Sequence, residues 1–424
     1  MSANGKIKRV AILGFGGEGR SVLKFLRKNK DFKNCEIWIL DRSEKISAPA
    51  GARLQLGENY LKNLENFDVI FRSPGVPYNL PEIKNAIKNG VEFSSATKLF
   101  FKYTNKISGV RIIGVTGTKG KGTTSTLIYR ILRAAGKDVY IAGNIGTPAT
   151  EILSKLKRDS IVVLELSSFQ LQDFERSPKI AAILETFPDH QDSHKNLEEY
   201  YGSKSNIAKH QKATDAVFFF GDHGKSSELA NMGEGKKMPV FPKKFIGFDE
   251  AELKIKGSHN FRNAVLATAV AQYLKIPKKT IVRVVKNFRG LEHRLEFVRV
   301  VGNVSFYNDS ASTNPQTSSA ALRSFPNDSI SIILGGYDKG LDYAPLKKAV
   351  MEVEPRGVVL MGANQKKNAK ALEGCETKIV FAKNLKSAID MAYLPLITNR
   401  SLQNKSSSVV FSPGAASFDM FKNY

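Results

Sequence analysis

The sequence predicts an α/β protein whose sheets are parallel. Short runs of β-branched and other apolar residues alternate with stretches of helical periodicity along the whole chain. Strands that are joined by helices run parallel, through right-handed crossovers. Glycine-rich turns follow two of the predicted strands, and the 424 residues are enough for two or three domains with cores of their own.

The N-terminal segment has the pattern of a dinucleotide-binding fold. A strand over 8–13 leads into the turn 14–19, which has the spacing G-x-G-x-x-G, and a helix follows. A second strand ends at Asp41, about 20 residues beyond the last glycine, where such folds carry an acidic residue. We therefore predict a Rossmann-like domain over residues 1–106. Taken alone, this pattern also allows an NAD-dependent oxidoreductase.

Residues 116–124, T-G-T-K-G-K-G-T-T, are the most informative segment of the chain. They lie between an apolar strand and an apolar helix, where glycine-rich backbone points its N–H groups at an anion and the helix dipole adds positive potential. We expect Lys121 to reach the β- and γ-phosphates of a nucleoside triphosphate, and the hydroxyl of Thr123 to hold Mg²⁺. The loop predicts a central domain of the P-loop ATPase type over 107–290. Its predicted nucleotide-binding residues are Gly117, Thr118, Lys119, Gly120, Lys121, Gly122, Thr123 and Thr124.

Two polar segments follow strands of this central domain. Glu165 ends the apolar strand 160–165, where its carboxylate can reach a metal beside the phosphate loop. Residues 189–194 contain two acids and two histidines, which are also compatible with a zinc hydrolase or a polar turn. Neither an H-E-x-x-H pattern nor a cysteine ligand supports zinc, so a second Mg²⁺ is the better interpretation.

The remaining chain predicts a second Rossmann-like α/β domain over 291–424. Strands are expected at 304–307, 330–334, 357–360 and 409–411, with helices between them and a polar loop at 398–408. The sequences Asn308-Asp309-Ser310 and 335–339 each follow one of these strands, which favours a binding role.

Composition narrows the classes of function. The net charge of +24 suggests a nucleic-acid-binding protein, but the basic residues are scattered and form no recognised motif. We therefore predict no specific binding of nucleic acid. A basic surface would still attract anionic small substrates. The two cysteines are far apart, no apolar run has membrane-spanning length, and the N-terminus lacks a secretory pattern. We therefore expect a cytoplasmic protein without membrane insertion.

Together, the ordered motifs resemble the ATP-dependent Mur ligases of peptidoglycan synthesis over nearly the whole chain. Within that family they are most similar to the enzymes that add D-glutamate to UDP-N-acetylmuramoyl-L-alanine. The resemblance implies a monomer that uses ATP and two Mg²⁺ ions. The motifs that carry it are 143–146 (GNIG), 165–171 (ELSSFQL), 290–294 (GLEHR), 308–310 (NDS) and 412–417 (SPGAAS).

The resemblance also implies a role for individual residues. Lys121, Thr123 and Glu165 would act on the ATP phosphates and the first Mg²⁺, and His190 would bind the second. Lys204 matches a family lysine that becomes a carbamate, an anion that orients the metal. The first domain would bind the UDP group, not NAD. The UDP-binding residues would be Gly16, Gly17, Asp41, Arg42, Ser73 and Gly75; the muramoyl contacts Asn144 and Ser167; the ATP contacts Asn260, Asn263, Arg294 and Asp309; and the D-glutamate contacts Lys339, Ser417 and Tyr424.

The implied reaction activates a carboxylate, which is a poor electrophile. The L-alanyl carboxylate of the substrate would attack the γ-phosphate to give an acyl phosphate, and the amine of D-glutamate would then displace phosphate and form the amide. Lys121 and the metal ions would neutralise charge in the first step. ADP and phosphate would be released.

Three features of this chain depart from the family pattern. The order Lys-Gly-Thr at 121–123 is more like that of folylpolyglutamate synthases, and Ala311 stands where the family usually has a lysine. Relatives usually continue beyond Tyr424 through a short helix, which suggests a truncated chain. The alternatives are therefore a folylpolyglutamate synthase, or a Mur ligase that adds a different amino acid.

Overall fold

The computed structural model describes residues 8–189, 194–325, 328–337, 340–398, 406–417 and 419. The chain folds into two compact units. The first comprises Met1–Phe245 and Asn263–Ile281, and the second comprises Ile246–Arg262 and Val282–Tyr424. The described residues form three sheets, and each of the three predicted domain ranges contains one of them. The boundaries of those ranges stay a prediction.

The first sheet lies in the first unit and has five parallel strands. Its strands are β1 (Arg9–Leu13), β2 (Glu36–Asp41), β3 (Ala52–Leu56), β4 (Val69–Arg72) and β5 (Glu92–Ser94), with helices α1 (Gly17–Lys28), α2 (Pro81–Lys88) and α3 (Ala96–Thr104). The strand order is β3-β2-β1-β4-β5, and all neighbouring pairs are parallel. The order reverses at β1, and ligands of open α/β sheets bind outside the carboxyl ends of the strands at such a point. The predicted Rossmann-like fold is confirmed.

The second sheet, also in the first unit, has six parallel strands in the order β11-β10-β9-β6-β8-β7. The strands are β6 (Arg111–Thr116), β7 (Val139–Gly143), β8 (Ile161–Glu165), β9 (Ile180–Ile183), β10 (Ala216–Phe220) and β11 (Lys236–Val240). Strands β8, β9 and β10 are buried along their whole length, as expected for a parallel sheet that is covered on both faces. The helices of residues 121–287 are α4 (Lys121–Ala134), α5 (Ala149–Ile152), α6 (Ser168–Leu171), α7 (Leu197–Lys209), α8 (Gly224–Ala230), α9 (Ser258–Tyr273) and α10 (Lys278–Asn287).

The third sheet forms the core of the second unit. Its strands are β12 (Glu296–Val301), β13 (Val304–Asn308), β14 (Ser329–Leu334), β15 (Gly357–Leu360), β16 (Ile379–Phe381) and β17 (Ser407–Phe411). The order is β12-β13-β17-β14-β15-β16. The accompanying helices are α11 (Pro315–Arg323), α12 (Ala344–Val353), α13 (Gln365–Ala371) and α14 (Leu385–Ile397).

One strand pair departs from the predicted parallel arrangement. Strands β12 and β13 are antiparallel and are joined by Gly302 and Asn303 alone. A two-residue hairpin favours positive φ in its turn, and Gly302 has φ +56°. The expectation of purely parallel pairing is therefore wrong at this edge. The predicted loop 398–408 also ends early, because β17 begins at Ser407.

The interiors are apolar, and buried side chains pack around each sheet; Phe100 and Phe101 of α3 belong to the core around the second sheet. Ile12 and Phe71 belong to the core around the first sheet, Leu164 and Ile183 to that around the second, and Ile332 to that around the third. None of the helices within the described residues has both the length and the apolar character needed to cross a membrane.

Candidate active site

The phosphate loop joins β6 to α4 through two glycines with positive φ. Gly117 has φ +151° and Gly120 has φ +80°. A Cβ atom at Gly117 would lie 2.6 Å from the Cβ of Leu184, and one at Gly120 would overlap the side-chain amide of Asn263. Helix α4 begins at Lys121 without a side-chain cap. Its N-terminus therefore has the form that binds phosphate in other proteins.

The two predicted catalytic lysines converge on this loop. The Nζ of Lys121 donates hydrogen bonds to the carbonyl oxygens of Gly117 (3.0 Å) and Thr118 (2.9 Å). The Nζ of Lys204, from α7, donates to the same Gly117 oxygen at 2.9 Å. The structure thus brings together two lysines that are 83 positions apart, by the difference of their residue numbers.

Lys204 is held in an environment that disfavours its charge. Its side chain is only 2% exposed, and its Nζ lies 4.8 Å from the centre of the Tyr200 ring. Burial and the nearby charge of Lys121 lower the pKa of Lys204 to about 7, against an opposing effect of Asp189. Near neutral pH a substantial fraction of the side chain is therefore an uncharged amine, the form that can react as a nucleophile.

The buried lysine predicts a pH-dependent stability. Between pH 7 and 10.5 the unfolded chain retains the Lys204 proton that the folded protein has lost. The unfolded state then binds more protons, so the free energy of unfolding rises with pH across this window and falls again as the pH returns towards 7. In buffer free of CO₂ and metal ions, we expect wild type to gain about 1 kcal/mol per pH unit more than Lys204→Met between about pH 7.5 and 9.5.

Urea denaturation at several pH values measures this difference. Lys209→Met, at an exposed position of the same helix, is the control and should follow the wild-type slope. Equal slopes for wild type and Lys204→Met would show that Lys204 keeps an ordinary pKa in the folded protein.

Glu165 lies beside the start of the phosphate loop. It ends β8, where it pairs in register with Val115 of β6, and its side chain is buried. Its Oε1 accepts a hydrogen bond of 2.8 Å from the Nδ2 of Asn144, which follows β7. Asn144 is a predicted substrate contact, and this bond shows that it also orients the predicted metal-binding carboxylate.

Thr123 and Thr124, at the end of the phosphate loop, differ in solvent exposure. Thr124 is fully buried in α4, and its Oγ1 has no hydrogen-bond partner among the described residues. Thr123 is partly exposed, so its hydroxyl is the better candidate for a metal ligand. A hydroxyl and the Glu165 carboxylate are oxygen ligands of the type that Mg²⁺ prefers. In the described part of the chain, no three His, Cys, Asp or Glu residues are grouped so that they could hold a metal. His190 lies outside that part.

Thr118 ties the loop to its surroundings. Its Oγ1 donates to the carbonyl of Phe187 (3.0 Å), accepts from the amide of Phe187 (2.8 Å) and pairs with the Tyr200 hydroxyl (2.9 Å). These bonds connect the loop to α7 and to the segment after β9. The side chain of Thr118 therefore shapes the loop, and its backbone is also bonded, since its amide donates to the carbonyl of Glu185 at 3.0 Å.

The residues predicted to bind the UDP group gather at the carboxyl ends of β1, β2 and β4. Asp41 accepts a hydrogen bond of 2.6 Å from the amide of Phe15, and Ser73 donates one of 2.6 Å to the carbonyl of Gly14. These bonds fix the two turns beside each other. The residues at this edge are Gly16, Gly17, Asp41, Arg42, Ser73 and Gly75.

Other predicted residues fall in the second unit, while Asn263 lies in the first. Asp309 is buried: its Oδ1 accepts from the amide of Leu295 (3.0 Å), and its Oδ2 accepts from the hydroxyls of Ser312 (2.5 Å) and Ser412 (2.6 Å). Burial raises the pKa of Asp309, and these hydrogen bonds oppose the effect. Asp309 thereby fixes the segment that contains the exposed Arg294.

The remaining predictions for the second unit are less well defined. Asn260 donates from Nδ2 to the carbonyl of Lys256 at 2.8 Å, and Ser417 follows the bridge between Tyr337 and Ala416. Lys339 and Tyr424 lie outside the described residues.

Gly120 offers a direct test of the loop geometry. Gly120→Ala would introduce strain at φ +80° and a collision with Asn263, whereas Gly136→Ala, at φ +73°, would meet open space. Both should lose about 1 kcal/mol of stability through backbone strain. We expect only Gly120→Ala to raise the dissociation constant for ATP, by about tenfold or more, because the loop must shift to relieve the overlap. Equal ATP affinities in the two variants, measured by calorimetry, would contradict this packing.

The fold and this site define the class of protein. A phosphate loop, a carboxylate at the end of the neighbouring strand and a buried lysine accompany a Rossmann-like sheet. The family model of the Mur ligase middle domain matches residues 115–244, and that of the MurD-like N-terminal domain matches residues 8–95. The chain belongs to the Mur ligase family and is an ATP-dependent ligase.

Particular relatives refine this assignment. The chain is 34% identical to a UDP-N-acetylmuramoylalanine–D-glutamate ligase of Clostridium botulinum (strain Langeland), over 99% of this chain and 94% of the relative. It is 33% identical to an enzyme of the same name from Acetivibrio thermocellus, with the same coverage. A crystal structure of MurF from Acinetobacter baumannii has the same fold, with a TM-score of 0.57 and 16% identity, over 98% of this chain and 92% of that chain.

Sequence reasoning missed several residues of this region. It did not predict that Tyr200 contacts both Thr118 and Lys204, because tyrosine in a helix has no distinctive pattern. It also gave no role to Glu18 or Arg72, which are buried or nearly so beside the predicted UDP turns. The sequence did offer one indication for Glu18: it is an acidic residue within a glycine-rich turn that is predicted to bind an anionic ligand.

Proposed function

We propose that this protein adds D-glutamate to UDP-N-acetylmuramoyl-L-alanine, with ATP as the source of energy. The observation that carries the proposal is the convergence of Lys121 and Lys204 on the phosphate loop, with Glu165 on the adjacent strand. A Rossmann-like sheet lies in the same compact unit, and its turns would bind the nucleotide sugar. The similarity to enzymes of that name over 99% of the chain supports this choice of substrates.

The nucleotide would be held by the backbone of the phosphate loop and by Lys121. Thr123 and Glu165 would hold one Mg²⁺, and His190 with carbamylated Lys204 would complete the two-ion site that the family resemblance implies. When bound, Mg²⁺ would neutralise negative charge on the phosphates. In binding the phosphates, Lys121 would exchange its carbonyl partners for phosphate oxygens, and this exchange is favourable because hydrogen bonds between two ionised groups are the stronger ones.

The chain's own groups suit acyl-phosphate chemistry. Lys121 would stabilise the negative charge that develops on the transferred phosphoryl group as the substrate carboxylate attacks it. Asn144, released from Glu165, would be able to orient the muramoyl substrate near the reacting carboxylate. The amine of D-glutamate would then attack the acyl carbon, phosphate would leave with the bonding electrons of the C–O bond, and the nitrogen would lose a proton to the departing phosphate or to water.

Lys204 supports the proposal of a carbamate. A neutral lysine adds to CO₂ and loses a proton, which converts the side chain into an anionic oxygen ligand. The nearby positive charge of Lys121 favours an anion at this position over a second ammonium group. We further propose a cytoplasmic monomer in which Lys339, Ser417 and Tyr424 contact D-glutamate.

Phosphate release from ATP in the presence of UDP-N-acetylmuramoyl-L-alanine tests the function. We expect release that requires D-glutamate and is at least about 100-fold slower with L-glutamate, because a site built for one enantiomer leaves polar groups unpaired with the other. Release that depends on another amino acid would make the protein a different Mur ligase. Release only with a folate and L-glutamate would favour the folylpolyglutamate synthase that the order Lys-Gly-Thr at 121–123 suggests.

A further inference from the structure

A buried polar cluster joins the first sheet to α6, within the first unit. We call Glu18, Arg72, Gln170 and Asp173 the α6 cluster. Glu18 lies in the first turn of α1, directly after the predicted UDP-binding residues Gly16 and Gly17. Arg72 ends β4, directly before Ser73. Both residues therefore adjoin turns that would receive the nucleotide sugar.

The Glu18 branch of the cluster leads to the end of β8. Its Oε1 accepts a hydrogen bond of 2.6 Å from the Nε2 of Gln170. The Oε1 of Gln170 in turn accepts from the amide (2.9 Å) and the hydroxyl (3.1 Å) of Ser167, which caps α6. Ser167 is two residues from Glu165. A continuous chain of hydrogen bonds thus connects the UDP turn with the segment that carries the predicted metal-binding carboxylate.

The Arg72 branch fixes the other end of α6. Its Nη1 donates to the carbonyl of Val76 (2.7 Å), and its Nη2 donates to the carbonyl of Phe169 (3.1 Å) and lies 3.3 Å from the Oδ1 of Asp173. The other carboxylate oxygen of Asp173 lies 2.6 Å from the Nζ of Lys98. One guanidinium group therefore contacts the turn after β4, the middle of α6 and a residue just beyond that helix.

The cluster places polar and charged groups in a buried position. Arg72 is 2% exposed and Gln170 is 4% exposed, and the Oε2 of Glu18 is buried without a hydrogen-bond partner among the described residues. Burial raises the pKa of Glu18, which shows that the surroundings disfavour its charge. Buried ionic groups contribute little net stability compared with apolar packing, and their best-supported advantage is a defined geometry.

We propose that Glu18 and Arg72 are positioning residues, which fix α6 and the adjacent Glu165 relative to the two turns that bind the nucleotide sugar. This inference rests on the proposed function. The substrate would be anchored at the first sheet by its nucleotide end, while its carboxylate must meet the γ-phosphate beside β6 and β8. A displacement of about 1 Å between these two places is enough to lower the rate about 100-fold.

Three variants test the Glu18 branch. Glu18→Ala removes the acceptor of the Gln170 bond, whereas Glu18→Gln retains a side-chain oxygen that can accept it. Glu151→Ala is the matched control, because Glu151 pairs with Lys24 of the same helix α1 at 3.7 Å but lies near the surface. The measurements are kcat and KM for the nucleotide sugar, the dissociation constant for ATP, and hydrogen exchange of residues 167–172.

We expect Glu18→Ala to lower kcat about 10- to 100-fold while the ATP dissociation constant stays within about twofold of wild type. Hydrogen exchange in α6 should become about tenfold faster, because the cap loses its support. Glu18→Gln should recover most of the activity, and Glu151→Ala should match wild type. Arg72→Lys should behave like Glu18→Ala, since an ammonium group cannot reproduce the geometry of the guanidinium contacts.

Two results would overturn the inference. The first is wild-type kcat and wild-type exchange in Glu18→Ala. The second is a parallel loss of folding, ATP binding and activity, which would indicate a purely structural role. If wild type fails to join D-glutamate to the nucleotide sugar, the proposed function is wrong, but the exchange comparison still decides whether the cluster holds α6.

Discussion

Lys121→Ala is expected to abolish ATP turnover and leave the fold intact. The side chain of Lys121 is partly exposed, and its Nζ donates to two carbonyl oxygens of its own loop, so the variant removes a cation from neutral acceptors. Loss of a positioned cation from a phosphoryl-transfer site costs at least about 100-fold in rate. Steady-state phosphate release with all three substrates present measures this effect.

The control for this experiment is Lys137→Ala, an exposed lysine just beyond the other end of α4. It should retain wild-type turnover. The melting temperatures of both variants should stay within about 3 °C of wild type, since neither side chain is in a core. If Lys121→Ala turned over ATP near the wild-type rate, the assignment of the phosphate loop to catalysis would be wrong.

Lys204→Ala is expected to have about 100-fold lower activity, and a short carboxylate such as acetate should partly restore it. The variant creates a cavity where the buried side chain contacts Tyr200 and the Gly117 carbonyl, and a small anion can enter that cavity in place of the proposed carbamate. Initial rates at increasing acetate concentration, at constant ionic strength, measure the rescue. Lys209→Ala, on the exposed face of α7, should need no rescue.

Carbon dioxide provides an independent check of the same prediction. Wild-type activity should fall in CO₂-depleted buffer and return when bicarbonate is added, while Lys204→Ala should not respond. Lys121→Ala should show no acetate rescue, since its missing group is a cation. Carbamylation would be ruled out if acetate did not raise the activity of Lys204→Ala and if CO₂ depletion did not lower the activity of wild type.

Local patterns explain why much of the fold could be predicted from sequence. Strands β6 and β8 are apolar runs that end in polar motifs, and the glycines of the phosphate loop have a required backbone conformation. Strand β11 was missed, because an edge strand with the sequence KKMPV has neither an apolar run nor regular alternation. By contrast, Gly302 and Asn303 stand between two strand-forming runs, a pattern that does indicate the β12–β13 hairpin.

The candidate site was predictable where a residue type is tied to a local motif, and not where its role depends on distant neighbours. Lys204 is one of 64 basic residues, and only the tertiary structure shows that it is buried against Tyr200. Its proposed role came from the family resemblance. Arg72 belongs to no motif in the sequence, and its partners Phe169 and Asp173 are 97 and 101 positions away.

The path of the chain between its two compact units affects how the protein can be synthesised and divided. The first unit is interrupted after Phe245 and resumes only at Asn263 within α9. That returning segment buries Leu266 and Val270, and the ring of Tyr273 packs edge-on against Phe218 of β10, with centroids 5.5 Å apart.

A ribosome therefore cannot release a finished first unit until residue 281 has emerged from the exit tunnel. A nascent chain that stalls near residue 245 would expose part of its central core and become a substrate for chaperones and proteases. The same reasoning applies to laboratory fragments: one that ends at Phe245 should aggregate.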